Sequence, residues 1–251
     1  MIDPGHGGSD EGTVHHGRYG QRVGKVTEKE VTLQLARLVA YELRLRGMMA
    51  TLTRDDDQEI PLAARTALAN RLGANLFISI HMNSTESGAA RDAEGIETYI
   101  LNNATDASSR RLASLENSVI TSPTTPAPVQ HDVALILKDL RLDGNLTESK
   151  RLACYVQNNL VENTSKLTAH PGRNRGIKQS LFHVLLGADM PSILVEAGFL
   201  SNANDRALVL SRKGQSSISR AIADAVSRFQ KTKAPCRVPH IAFSELKKSV
   251  F

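Results

Sequence analysis

The chain is predicted to be α/β: a single domain on a mostly parallel twisted sheet of about six strands, helices on both faces, plus a helical insertion. Three observations predict this. Short apolar runs of strand length alternate with stretches of helical periodicity along most of the 251 residues. The stretches between strands are long enough to carry the chain back to a parallel neighbour. With 41% apolar and 23% charged residues, the composition is that of one sizeable core.

The elements follow in order. After a Gly-rich opening, a helix is predicted over 28–46: Thr27 with Glu30 makes a capping box, Leu35, Leu38, Val39 and Leu43 form the apolar stripe, and Gly47 stops it. Residues 48–53 read as a strand. A second helix runs from Pro61 through Leu62, Leu68 and Leu72 to Gly73, ahead of strands at 76–80 and 96–101. Residues 102–148 are more polar and hold the loop TSPTTPAPV at 121–129, with helices predicted at 107–117 and 132–142. A long helix at 149–166 and a Gly/Arg-rich turn at 173–176 come next. Strands at 181–186 and 192–195 resume the sheet, and helices at 205–210 and 216–230 close it. The domain is thus expected to span 1–230, with its insertion at 102–166. Residues 231–251, with Pro235, Pro239 and little periodicity, read as a tail.

The net charge of +5 is spread along the chain, and only 4% of residues are aromatic. That argues against nucleic acid and suits a polyanionic surface such as a cell wall or membrane. No apolar run approaches the ~18 residues of a membrane span. Cys154 and Cys236 stand far apart, in a predicted helix and the tail, so neither a disulfide nor a thiolate metal site is expected. Read from Met1, no signal sequence precedes Asp3.

Three stretches, DPGHGG at 3–8, TEKE at 27–30 and ISIHMNS at 78–84, offer His6, Glu28 and His81 where folding alone has little use for them. LVEAGF at 194–199 adds Glu196 at the end of an apolar strand. Two imidazoles and a carboxylate form a common first shell of catalytic zinc, and a further carboxylate can act as base to its water. Placement supports this. His81 and Glu196 sit at carboxyl ends of predicted strands, the edge where open parallel sheets bind ligands. Glu28 lies in a first helical turn, where the macrodipole favours the ionised form a metal requires. The spacings of 22 residues (6 to 28) and 53 residues (28 to 81) match no compact zinc pattern. Taken singly, DPGHGG also fits a tight turn, His81 a core histidine, Glu28 a first-turn acid and Glu196 a buried ion pair. The other six histidines carry no supporting pattern.

DPGHGG, the Glu28-Lys29 pair opening a helix, LTR at 52–54, LAARTALAN at 62–70, ANLFISIHMNS, GIETYIL, NRGIK at 174–178 and MPSILVEAGFLSNANDRALV appear in order from Ile2 to about Gln230. Together they resemble the zinc-dependent N-acetylmuramoyl-L-alanine amidases of bacterial cell separation. The resemblance implies one zinc held by His6, Glu28 and His81, with Glu196 as the catalytic carboxylate. It implies hydrolysis of the peptidoglycan amide joining the lactyl group of N-acetylmuramic acid to L-alanine. Asn83, Ser84, Arg175 and Gly176 fall in its motifs as candidate peptide or sugar contacts. The polar middle resembles the insertion of members kept inactive until a divisome activator binds, and Glu116, in RRLASLENSVI, is the candidate plug for the zinc.

The resemblance also implies the periplasm, an address these residues do not encode. The strand entering DPGHGG is reduced to Met1 and Ile2, so a truncated first strand or a trimmed chain is expected. Two rivals are carried forward. One is an inactive peptidoglycan-binding scaffold for division proteins, which would have no need of Glu196. The other is a zinc peptidase acting on another amide, which only the substrate would separate.

Overall fold

The computed structural model describes residues 1–19, 22–85, 93–104, 106–118, 140–167 and 174–236. The chain opens on β1 (Ile2–Pro4), forms an antiparallel pair from β2 (Val14–Tyr19) and β3 (Arg22–Thr27), and enters α1 (Glu28–Leu45). There follow α2 (Leu62–Arg71), β4 (Phe77–Asn83), β5 (Ile96–Leu101), α3 (Ala107–Asn117), α4 (Leu140–Ser165) and β6 (Asn174–Ser180). A 3-10 turn at His183–Leu185, β7 (Ser192–Phe199), α5 (Ala203–Leu210) and α6 (Arg212–Lys231) complete it. Among the described residues the central sheet has five strands in the order β1-β4-β7-β5-β6, and β2-β3 stands apart from it. Three of its pairings are parallel and β5 runs antiparallel to β7, so the sheet is mixed but mostly parallel.

Alternation along the strands sends side chains to two separate cores. Ile78, Ile80 and Met82 of β4, Ile193, Val195 and Ala197 of β7, and Ile96 and Ile100 of β5 join α1, α4 and α6 in the larger. Phe77, Leu194 and Tyr99, one residue out of phase, join Ala69 of α2, Leu112 and Ala113 of α3, and Phe182 in the smaller. His81, Glu196 and Glu97 share the parity of that second set, so they lie on the face that α3 covers. Helices do flank both faces.

Four readings need correction. Residues 48–53 form one parallel bridge, Ile2 to Leu52, rather than a strand, because a three-residue β1 leaves little edge to pair with. The segment 181–186 is not a strand: its apolar run is buried around the 3-10 turn, with Phe182, Val184 and Leu185 in the smaller core. The strand lies earlier, as β6, across the expected turn at 173–176; its side chains are mostly half-buried and its sequence NRGIKQS is polar, so no apolar alternation announces it. The β2-β3 pair within the Gly-rich opening is likewise polar and partly exposed. Finally, Cys154 and Cys236 do form a disulfide, since the chain leaving α6 turns back along α4. Arg151 of α4 donates to the carbonyls of Phe229 and Thr232 (3.0 and 2.7 Å), and Tyr155 to that of Ala234 (3.2 Å). The first part of the expected tail is therefore pinned. Of the helix expected at 132–142, residues 132–139 lie outside the described residues, as do 237–251.

Candidate metal centre

The loop carrying His6 is held by two buried arginines. Arg54 donates to the carbonyls of Pro4, Gly5 and Lys29 (3.2, 2.8 and 2.9 Å). Arg65 donates to those of Pro4 and His6 (2.7 and 3.0 Å) and pairs with Asp3 at 3.1 Å. Carbonyls that would otherwise be buried without donors are thus satisfied, and the loop gains a fixed shape. Among the described residues His6 is the one non-glycine with positive φ, 60°, a conformation that costs about 1–3 kcal/mol and persists where surrounding contacts impose it. Glycine is required beside it. A Cβ at Gly5 would stand 2.5 Å from His81 Cε1, and one at Gly12 would stand 2.7 Å from both Glu28 Oε2 and His6 Cδ2.

Four side chains meet at this point. His6, Glu28, His81 and Glu116 are all buried and each offers a ligand atom, these atoms lying within 4.8 Å of one another. Glu28 opens α1, and its carboxylate accepts from the backbone amides of Met82 and Thr13 (2.8 and 2.9 Å), which fixes its direction. His81 ends the apolar run of β4. His6 Nε2 lies 3.1 Å from Glu28 Oε1 and 3.2 Å from Glu116 Oε2; His81 Nδ1 lies 3.2 and 2.9 Å from the same two oxygens. Yet among the described residues His6 Nε2, His81 Nδ1 and Glu116 Oε2 have no aligned hydrogen-bond partner. Buried donors converging without bonding one another are what a cation between them would explain. The group can hold a metal ion, and two imidazoles with carboxylates are a donor set that zinc accepts. Asp10 Oδ2, 2.8 Å from His6 Nδ1, orients the ring from behind.

Electrostatics follow from the crowding. Burial works against charge on both rings, but the Glu28 and Glu116 carboxylates prevail, raising His6 well above its ordinary value and His81 to about 10. Burial likewise works against the ionised form of Glu28, yet the two rings hold its carboxyl far below the usual range.

Glu196 lies beside this group, its Cα in register with His81 on one side and with Glu97 of β5 on the other. It is fully buried, and among the described residues neither carboxylate oxygen has a hydrogen-bond partner. Burial, opposed in part by His81 and reinforced by Glu116, Glu28 and Glu97, raises its carboxyl well above the ordinary range.

Of the remaining expected site residues, Asn83 and Arg175 meet at Glu97 rather than at the metal group. Asn83 Nδ2 donates to Glu97 Oε2 at 2.9 Å, and Arg175 Nε donates to Oε1 at 2.5 Å. Gly176 supplies a positive-φ step in β6, and Ser84 lies half-buried just past β4. Glu97, its further donors Tyr99 (2.6 Å) and Lys178 (2.8 Å), and Asp10 are not among the residues that the sequence motifs single out. The signal for Glu97 was present: a carboxylate between the apolar residues of GIETYIL is the feature that singled out Glu196 in LVEAGF.

Comparison with known proteins adds the decisive observation. Residues 1–228 match the family described as N-acetylmuramoyl-L-alanine amidase. The chain belongs to that family. It is 33% identical over 235 residues to the amidase AmiC of Neisseria meningitidis serogroup B, covering 92% of this chain and 52% of that protein. It is 31% identical over 232 residues to the amidase AmiA of Escherichia coli K12, covering 91% and 75%. The chain thus spans about half the length of the Neisseria relative. Among solved structures, the family member AmiC2 of Nostoc punctiforme superposes with a TM-score of 0.63 at 28% identity, covering 92% of this chain and 96% of that one. The amidase of Clostridium difficile 630 gives 0.65 at 29%, covering 93% and 96%. No described helix is long and apolar enough to cross a membrane.

Proposed function

We propose that this chain is a zinc-dependent N-acetylmuramoyl-L-alanine amidase that cleaves the bond between the lactyl group of N-acetylmuramic acid and L-alanine in peptidoglycan. The observation that carries the reading is Glu196: a buried carboxylate with no partner among the described residues, one strand from His81 of a metal-binding group. A structural ion pair would have satisfied it, and a binding scaffold would have no use for it.

In this reading His6, Glu28 and His81 hold the zinc, and residues 1–230 form the catalytic domain with its insertion at 102–166. Zinc there supplies Lewis-acid polarisation of the lactyl carbonyl and a lowered pKa for water. Glu196 takes the proton of the attacking water on a carboxylate oxygen and delivers it to the amide nitrogen of the departing L-alanine. Asp10 keeps the His6 ring turned so that Nε2 faces the group. Glu116, in contact with both histidines, occupies a ligand position that substrate and water need. We infer that α3 autoinhibits the enzyme and that a divisome activator displaces it during cell separation. The Cys154–Cys236 disulfide supports an oxidising compartment, in keeping with the periplasm.

The test is digestion of purified peptidoglycan by the zinc-loaded protein with mass spectrometry of the products. Free stem peptides with intact glycan, absent with Glu196→Gln and increased with Glu116→Ala, are expected. Peptidoglycan that is bound but uncut by every variant would favour the scaffold; cleavage at another amide would favour a peptidase.

A further inference from the structure

We propose that Arg175 forms an anion subsite that receives a carboxylate of the stem peptide two to three residues beyond the scissile bond. The assignment of the ligand rests on the amidase reading; the subsite rests on its own geometry.

Arg175 is anchored from behind. Its Nε donates to buried Glu97, and its guanidinium carbon lies 5.1 Å from the centre of the Phe199 ring, so two separate elements set its plane. The side chain is 33% exposed, and among the described residues its hydrogen bonding runs through Nε, with no bond to either Nη. Two parallel N–H donors on a fixed plane are the arrangement that grips a carboxylate bidentately. Glu97 cannot be that partner as well. Its Oε1 already takes Arg175 and Lys178, and its Oε2 takes Tyr99 and Asn83. One buried carboxylate therefore serves two cations. Asp106, which caps α3, faces Lys178, so the second opposing charge falls to the lysine.

Position makes the ligand specific. His81, Glu196 and Glu97 stand in register on β4, β7 and β5, and β6 bulges between the pairs Ile96–Asn174 and Thr98–Ile177, which sets Arg175 beside Glu97. With strands ~4.8 Å apart, Arg175 lies roughly 10 Å from Glu196 along the row. An extended peptide covers about 3.3–3.6 Å per residue, so a peptide whose first amide sits at Glu196 brings its second or third residue to the Nη edge. The same helix touches both ends of the row: Glu116 meets the histidines and Ser108 lies 3.4 Å from Lys178.

The experiment uses muramoyl-L-alanyl peptides whose following residues carry free carboxylates, and the same peptides with those groups as carboxamides. Binding is measured by calorimetry to the zinc-loaded full chain carrying Glu116→Ala and Glu196→Gln, with Arg175, Arg175→Gln or Arg175→Lys. The carboxylate ligand is expected to bind about 10-fold tighter than the carboxamide when Arg175 is present, a preference lost in Arg175→Gln and partly restored in Arg175→Lys. With Glu196 intact, KM for the carboxylate substrate should rise about 10-fold in Arg175→Gln while kcat stays within about twofold. Equal binding of both ligands by the Arg175 chain, or equal weakening of both in Arg175→Gln, overturns the subsite. Carboxylate preference without cleavage of either peptide sustains the subsite and sinks the amidase reading. Cleavage without preference does the reverse.

Discussion

His81 carries a proton that any metal must displace. Its ring is raised to about 10, burial opposing and the Glu116 carboxylate prevailing, and a metal ligand must be neutral. A folded value above the unfolded 6.5 adds stability that is complete below pH 6.5 and fades as pH rises through about 10. The metal-free chain therefore loses this contribution on alkalinisation, while metal affinity grows. Competition against a chelator of known affinity should show tighter zinc binding at pH 8.5 than at 6.5, with proton release detectable in buffers of different ionisation heat. Affinity independent of pH would contradict it. Glu196→Gln tests the other half of the site. It should lower turnover by about 10²-fold or more with zinc stoichiometry unchanged, and leave the melting temperature level or higher, because the replaced carboxyl has no partner to lose. The meeting of His6, Glu28 and His81 is legible in sequence because each sits at a readable element end: a Gly-rich loop, a capped first turn, a strand terminus. Glu97 and Asp10 are not, since their importance lies in what they touch across strands and loops.

At the scale of elements, α3 is the part whose hold on the site can be adjusted. Asp106 caps it, accepting from the Ser109 amide at 2.8 Å, while Asn117 at the far end donates to the Leu181 carbonyl at 2.8 Å. Burial works against the Asp106 carboxylate, but the serine and backbone donors together prevail and lower it to about 2. A depressed value adds stability above the unfolded 3.8 that is lost as pH falls toward 2. Asp106→Ala should cost about 1 kcal/mol of cap and raise basal peptidoglycan hydrolysis a few-fold by loosening the helix, with a smaller effect than Glu116→Ala. A variant with a lower melting temperature but no gain in activity would argue that α3 does not gate the site. The sequence announces α3 well, since its expected bounds, 107–117, coincide with those observed. It conceals β6, because a polar edge strand has no apolar alternation to read, and it inflates 181–186, because an apolar run fits a buried turn as well as a strand.

Across the whole molecule, the disulfide joins what the sequence presents as unrelated parts. Cys154 and Cys236 are 82 residues apart, and spacing alone says nothing of a meeting that depends on α4 packing along α6. Closing so long a loop restricts the unfolded chain strongly, a stabilisation of roughly 2–4 kcal/mol. The bond ties α4, whose Leu152, Val156 and Leu160 are buried in the larger core, to the segment leaving α6, where Arg151 also lies 3.7 Å over the Phe229 ring. It stands on the opposite side of the sheet from the metal group, which fills the face under α3. Reduction should therefore separate stability from chemistry. The melting temperature of the reduced chain, or of Cys154→Ser with Cys236→Ser, should fall by roughly 5–15 °C for a domain of this size. Zinc stoichiometry and turnover at low temperature should stay within about twofold of the oxidised chain, the margin left by surface-scale changes far from a site. Loss of zinc on reduction would mean that the two faces are coupled through the sheet, and an unchanged melting temperature would mean that the hydrogen bonds of Arg151 and Tyr155 suffice to hold the segment without the bond.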